Sequence, residues 1–296
     1  WYWCAAHDAP SARAGARTTA MTHAWLITGP PGSGRSTAAL AFAAALVCPR
    51  GGCGECEECE LARHSAHVDV EHIVPEGVEY VRTEVDRIME RASYVPSKSA
   101  WQVIVVEDAD RFSDVVANSL LKSIEEPAPG TVWILCAPST EDVLPTIRSR
   151  CRHLLLATPS TAQVAAALVD SLHVDPAMAS FAARAAQGHI GRARALATDE
   201  QARLRRQDVL RIPLQLGDLG SCLVLAAELV DTANANAASL CDPRDEAEER
   251  TIRAAYGDGG RGKGLAMNER RLKSALKDMA DRHKRRRRRV VLDELD

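Results

Sequence analysis

The sequence of 296 residues has no large excess of either charge: 37 lysines and arginines against 40 aspartates and glutamates leave a formal net charge of −3. Bulk electrostatics therefore points to no polyanionic or membrane partner. No uninterrupted apolar run approaches the length of a membrane span, and the start, Trp1-Tyr2-Trp3-Cys4 followed by an Ala/Arg/Thr stretch, lacks the apolar core of a signal peptide. The expectation is a soluble, cytoplasmic protein with no membrane contact. No internal repeat is visible, which excludes a repeat array. At this length the chain can hold two or three domains and bury a substantial core.

What is present begins with Gly29 to Thr37, GPPGSGRST, between an apolar strand-like segment at 25–28 and an alanine-rich helical stretch at 36–47. This is the setting of a phosphate-binding loop, in which glycines let backbone N–H groups wrap a phosphate at a helix N-terminus. Gly29, Gly32 and Gly34 are in place, Ser36 stands where a hydroxyl meets magnesium, and Thr37 follows it. The lysine position, however, is Arg35. Lysine delivers a compact point charge between phosphates, whereas arginine presents a wide planar fork that fits such a loop badly. The reading is a nucleotide-binding fold with lost or weakened hydrolysis; the plainer alternative is a Gly-Pro turn before an ordinary helix.

Nine cysteines is an odd number, and clustered thiols in a cytosolic protein favour metal over disulfides. Cys48, Cys53, Cys56 and Cys59 form a C-x4-C-x2-C-x2-C group with glycines at 51, 52 and 54 that allow tight turns. Four soft ligands on short loops are what tetrahedral zinc requires, so a structural zinc is expected. A redox pair or four reduced thiols are the alternatives. His64, His67 and His72 are spare candidates that a complete cysteine set makes unnecessary, and Cys136 and Cys151 read as plain buried thiols.

Between residues 25 and 156 short β-branched runs alternate with helical patterns, which argues for an α/β fold with a mostly parallel sheet. Strands are expected at 25–28, 68–74, 102–106, 132–137 and 153–156. The segment 82–93 places Val85, Ile88, Met89 and Ala92 on one helical face; 113–126 carries Val116, Leu120 and Ile124, with Ser113 as the expected cap and Pro127 as the stop. After Ala157-Thr158-Pro159-Ser160 the chain turns helical and alanine-rich. The boundaries expected are an α/β domain over 1–157, a small helical domain over 158–207 and a third helical region over 208–296, interrupted by a glycine-rich stretch at 256–264.

The apolar run at 103–106 ends in Glu107-Asp108, the place where a phosphate-loop ATPase keeps carboxylates for magnesium and for the attacking water. The usual order, aspartate then glutamate, is exchanged here. A solvated strand end is the simpler reading, yet beside Arg35 the exchange makes a second departure in one site, and both weaken hydrolysis.

Taken together, GPPGSGRS, the four cysteines after the first helix, VVEDADRFSDVVANSLLKSIEEP and LPTIRSRC resemble the bacterial clamp loader of DNA polymerase III, most of all its delta-prime type as seen in high-GC Gram-positive bacteria. The resemblance covers roughly residues 22 to 200. It implies an AAA+ P-loop fold with a zinc module at 48–59, an all-helical lid and a helical collar. It further implies gamma/tau-type motor subunits and a delta subunit as partners in a hetero-pentamer, with the sliding clamp and primed DNA reached through that complex. Cys48, Cys53, Cys56 and Cys59 match the zinc module. Arg150, in Ser149-Arg150-Cys151, matches the arginine finger that reaches into a neighbour's ATP site.

The departures from motor subunits all fall on this chain's own nucleotide site: Arg35, the exchanged Glu107 and Asp108, glycine at 191 where motor subunits carry a phosphate-sensing arginine, and no recognisable Val-Gly-Gln segment before Met21. ATP with magnesium is therefore expected to be held without turnover, if at all, by Gly29, Gly32, Gly34, Arg35, Ser36, Thr37, Glu107 and Asp108. The rivals are an active ATPase of the gamma/tau kind and a zinc-dependent nucleic-acid-binding protein. Glu125-Glu126-Pro127 resembles a family helix end near the subunit interface. The basic run at 284–289, preceded by a helical 270–282 segment, reads first as a solvated helix end and second as a phosphate contact. The family's collar continues past the position of Asp296.

Overall fold

The computed structural model describes residues 22–255 and 265–295. The glycine-rich stretch at 256–264 and the sequence up to Met21 lie outside the described residues. Five strands, β1 (Ala24–Thr28), β2 (Val70–Ile73), β3 (Gln102–Val106), β4 (Thr131–Ala137) and β5 (Arg152–Leu155), form one parallel sheet in the order β2-β3-β4-β1-β5. Each lies within two residues of the strand expected from the sequence.

Alternation along the strands builds two cores. Trp25, Ile27, Val103, Val105, Val132 and Ile134 face one side, with α1 (Arg35–Val47) and α2 (Glu57–Arg63) contributing Phe42, Ala43, Cys59 and Ala62. Leu26, Ile104, Val106, Trp133 and Leu135 face the other, against α3 (Arg82–Ala92) and α4 (Asp114–Glu125). Burial on both faces is why β1, β3 and β4 read as continuous apolar runs rather than alternating ones. Helix α3 buries Val85, Ile88 and Ala92, and the Glu84 carboxylate accepts the Val81 N–H (2.8 Å) at its start. Helix α4 buries Val116, Leu120 and Ile124. Ser113 does stand at its N-cap position, but its side chain makes no capping bond.

The loop before β3 is fastened by one carboxylate. Asp69 accepts the backbone N–H groups of Ser97 (2.6 Å), Lys98 (2.8 Å) and Ser99 (2.7 Å) and the Ser99 hydroxyl (3.0 Å). Burial alone would raise its pKa, but these donors outweigh burial and hold the carboxyl below its ordinary value.

After β5 come α6 (Thr161–Leu172), α7 (Pro176–Ala186) and α8 (Ile190–Thr198), packed around Val164, Leu168, Ala182, Ala183 and Leu196. Each helix is capped by the residue before it. Ser160 and Gln163 bond reciprocally, Asp175 accepts the N–H groups of Ala177 and Met178, and His189 Nδ1 accepts that of Arg192 (3.1 Å). The α/β layer and these three helices form one compact unit that ends at Arg203.

The second unit comprises Glu76–Glu79 and the chain from Leu204, with the rest of α9 (Glu200–Gln215), α10 (Leu219–Ala255) and α11 (Leu265–Leu295). Helices α10 and α11 run antiparallel, since Asp242, Asp245 and Glu248 meet Arg287, Arg286 and His283 in reverse order. Of the basic run, Arg285, Arg286 and Arg287 are all paired with carboxylates of the chain itself.

Candidate functional site

Three stations carry the residues that the sequence singles out. The first is the loop from Gly29 to Gly34, between β1 and α1, where Gly32 and Gly34 adopt positive φ of 79° and 89°. Arg35, the first residue of α1, reaches back across this loop. Its Nη1 donates to the Gly29 carbonyl at 2.7 Å, and Nη2 lies 3.6 Å from Asp108 Oδ1. Only 12% of the side chain is exposed. Ser36 and Thr37 lie exposed in the first turn of α1.

The two carboxylates are engaged as well. Asp108, with a left-handed φ of 47°, faces Arg35 and lies 3.7 Å from Arg111 Nε. Glu107 is buried, its carbonyl accepts the Tyr80 hydroxyl (2.6 Å), and its Oε1 lies 3.1 Å from His72 Nε2. The other ring nitrogen of His72 meets the Ser65 hydroxyl at 2.8 Å. His72, read from sequence only as a spare metal ligand, thus holds a carboxylate instead. Its partner is set by register: His72 on β2 lies beside Val105 on β3, two residues before Glu107. Just beyond, burial and then the Asp108 charge hold the Asp110 carboxyl above its usual range.

The second station is the cysteine cluster. Cys48 ends α1, Cys53 and Cys56 lie in the following turn, and Cys59 projects from α2. All four sulfurs lie within 4.8 Å of one another; Cys48 is 3.7 Å from Cys53 and 3.6 Å from Cys56, and Cys53 is 4.0 Å from Cys59. Four thiolates at Zn–S distances of about 2.3 Å would stand roughly 3.8 Å apart, so the sulfurs already sit at the edges of a metal tetrahedron. Backbone N–H groups of Arg50 and Gly54 donate to Cys48 and Cys59, each at 3.3 Å. Burial works against ionising Cys48, yet the N–H groups of Cys53, Gly52 and Arg50 bring its pKa down to about 6. Cys59, more deeply set and facing Cys48 and Cys56, is pushed up to about 12. The donor set, spacing and N–H···S bonds together fit a tetrahedral metal ion. His67 is not among the four ligands of the cluster; its Nε2 lies 2.7 Å from Glu58 Oε2.

The third station is the turn after α5 (Pro145–Arg148), anchored by buried Ile147. Arg150 donates to the Thr146 carbonyl (2.8 Å) and the Ser149 hydroxyl (3.1 Å), and pairs with Glu125 at the end of α4. The side chains of Arg150 and Glu125 are 36% and 42% exposed, and with His23 and Ser149 they line an open depression of about 460 Å³. Cys151 points inward, its thiol pushed up to about 12 by burial, and Cys136 is likewise raised by burial and by Glu107, so both are inert.

Comparison with known proteins places these stations in a family. A family model described as DNA polymerase III, delta subunit, matches residues 11–160. The DNA polymerase III subunit delta' of Pseudomonas aeruginosa is 35% identical over 164 residues, 53% of this chain and 50% of that protein. The gamma/tau subunit of Mycobacterium tuberculosis is 33% identical over 138 residues, 45% of this chain and 24% of that protein. The chain thus spans about half the length, or less, of these relatives. A solved gamma-subunit-related protein of Thermotoga maritima overlaps 94% of this chain and 99% of its own length, with TM-score 0.45 and 17% identity. In the sheet order β1 lies between β4 and β5, and the loop at 29–34 follows it, as the sequence predicts for a parallel α/β nucleotide-binding fold. With the match taking in half of its length, the chain belongs to the DNA polymerase III delta-subunit family.

Proposed function

We propose that this chain is a non-hydrolysing clamp-loader subunit, working in the cytoplasm within a hetero-pentamer that uses ATP to place a sliding clamp on primed DNA. Its partners are motor subunits of the gamma/tau type and a delta subunit. Its contribution to the ATP chemistry is Arg150, donated to the nucleotide site of a neighbour. The observation that carries this reading is the contrast between its two arginines: Arg35 is mostly buried and tied to Gly29 and Asp108, whereas Arg150 is exposed. A guanidinium supplied in trans offsets charge on the transferring phosphoryl group and makes turnover depend on assembly. Glu125 holds Arg150 until a phosphate, a stronger bidentate acceptor, displaces it.

The cysteine cluster would hold zinc in a structural role, since all four positions of the tetrahedron are filled by protein sulfur. The metal supplies cross-linking there, and no reaction step passes through it. The test of the whole reading is Arg150→Ala in a complex reconstituted with motor and delta subunits. The expected result is a loss of DNA-stimulated ATPase on the order of a hundredfold or more with assembly retained; unchanged turnover would sink the finger. Similarity to a gamma/tau subunit favours one rival, an ATPase in its own right. Turnover of MgATP by the purified chain alone would establish it.

A further inference from the structure

The residue that the function does not absorb is His189. It is the N-cap of α8, and its Nδ1 accepts the Arg192 N–H at 3.1 Å, which fixes the ring's direction and leaves the proton on Nε2. The ring so directed comes to rest on the phosphate loop. A Cβ added at Gly32 would meet His189 Cγ at 2.2 Å, Nδ1 at 2.4 Å and Cδ2 at 2.5 Å, so the imidazole lies directly against the Gly32 backbone. The next residue completes the junction: the Ile190 N–H donates to the Gly32 carbonyl at 3.0 Å, and Ile190 Cδ1 sits 3.6 Å from where a Gly34 side chain would begin.

We infer that His189 is a latch: its imidazole, seated on Gly32, fixes the helical lid against the phosphate loop without help from a nucleotide. Lids over phosphate sites ordinarily take their closed angle from the bound ligand that both sides touch. Here the chain supplies both sides of the contact, a ring from the lid and a bare backbone from the loop. Burial and then the Arg192 charge lower the His189 pKa, which keeps the ring neutral and able to cap at neutral pH. The same contact assigns a second purpose to Gly32. A glycine kept in a phosphate loop would ordinarily mean a phosphate; at this position it makes room for the ring. The positive φ of 79° adds a backbone reason for the same residue.

The inference deepens the reading of a subunit that runs no ATP cycle of its own. The two can fail separately, because the latch is read on the chain alone and the finger only in the assembled complex. The measurement is amide hydrogen exchange of the full chain, resolved at Ile190 and Arg192, with and without MgATP. Two variants separate the ring from the cap: His189→Asn keeps a side-chain acceptor for the Arg192 N–H but removes the ring, and Gly32→Ala drives the ring off from the other side. Expected is a protected Ile190 amide in wild type without nucleotide and exchange at least tenfold faster in both variants. Amides of α7 should stay unchanged, which shows that the lid itself remains folded. An Ile190 amide protected only after MgATP is added, or unchanged exchange in His189→Asn, would overturn the latch.

Discussion

The phosphate loop and the Arg150 turn are both built around an arginine, and they differ in what that arginine faces. Arg35 looks inward, with 12% of its side chain exposed and its partners, Gly29 and Asp108, belonging to the same site. Arg150 looks outward, 36% exposed, against a carboxylate that is itself 42% exposed. A cation whose donors are already bonded under cover is part of the architecture, since freeing it would leave buried groups unpaired. A cation held by an exposed pair is available for exchange, because such pairs contribute little to stability. The difference separates an arginine built into the fold from one whose partner can be exchanged.

The strongest way to break that contrast is to loosen the inward side. Helix α1 begins at the loop after β1 and is capped by Cys48, so a metal held by the four cysteines would fasten the far end of the element that carries Arg35. Chelation, or Cys59→Ser, should raise amide exchange across residues 48–63 by a factor of about 100 or more, given apparent structural-zinc binding energies above about 10 kcal/mol. The turn at 145–151 should stay protected. Equal loosening at both would mean that the two arginines share one structural unit. Metal analysis returning well below one equivalent would remove the zinc assignment itself.

Next in size is Arg150→Lys. Lysine keeps the charge and loses the planar fork, so ATPase of the reconstituted complex should fall nearly as far as with alanine, by roughly a hundredfold. Retention of most activity would reduce Arg150 to a source of field rather than a bidentate contact. The smallest effects are on stability. Arg35→Ala removes a charge-assisted bond under cover and should lower stability by about 1 to 3 kcal/mol, whereas Arg150→Ala should lower it by less than about 1 kcal/mol. Thermal unfolding of the chain alone measures both, and a reversed order would refute the inward and outward assignment.

The strands were readable because β1, β3 and β4 are buried on both faces and leave unbroken β-branched runs, as in Val103 to Val106. The cysteine cluster was readable because its spacing is local. What Arg35 touches was not, since Asp108 reaches it from the end of a strand that does not neighbour β1 in the sheet. His72 could be noticed but not interpreted, because its partner depends on the register between β2 and β3. His189 left a weak local signal, a capping residue before a helix, while its contact with Gly32 depends on packing between residues far apart in sequence. The expected Ser113 cap shows the converse limit: a residue type suited to capping is placed at the right position and makes no bond there.

The pairing of α10 with α11 has a thermodynamic corollary for the basic run. Polycations bind nucleic acid in large part through the entropy of small ions set free as phosphates are neutralised. Arg285, Arg286 and Arg287 are already matched to Glu76, Asp245, Glu248 and Asp242. A phosphate arriving there would have to evict tethered carboxylates, which return no translational entropy when displaced. The run is therefore much less cationic to a polyanion than its letters imply, and any salt dependence it confers should be shallow for six consecutive basic residues.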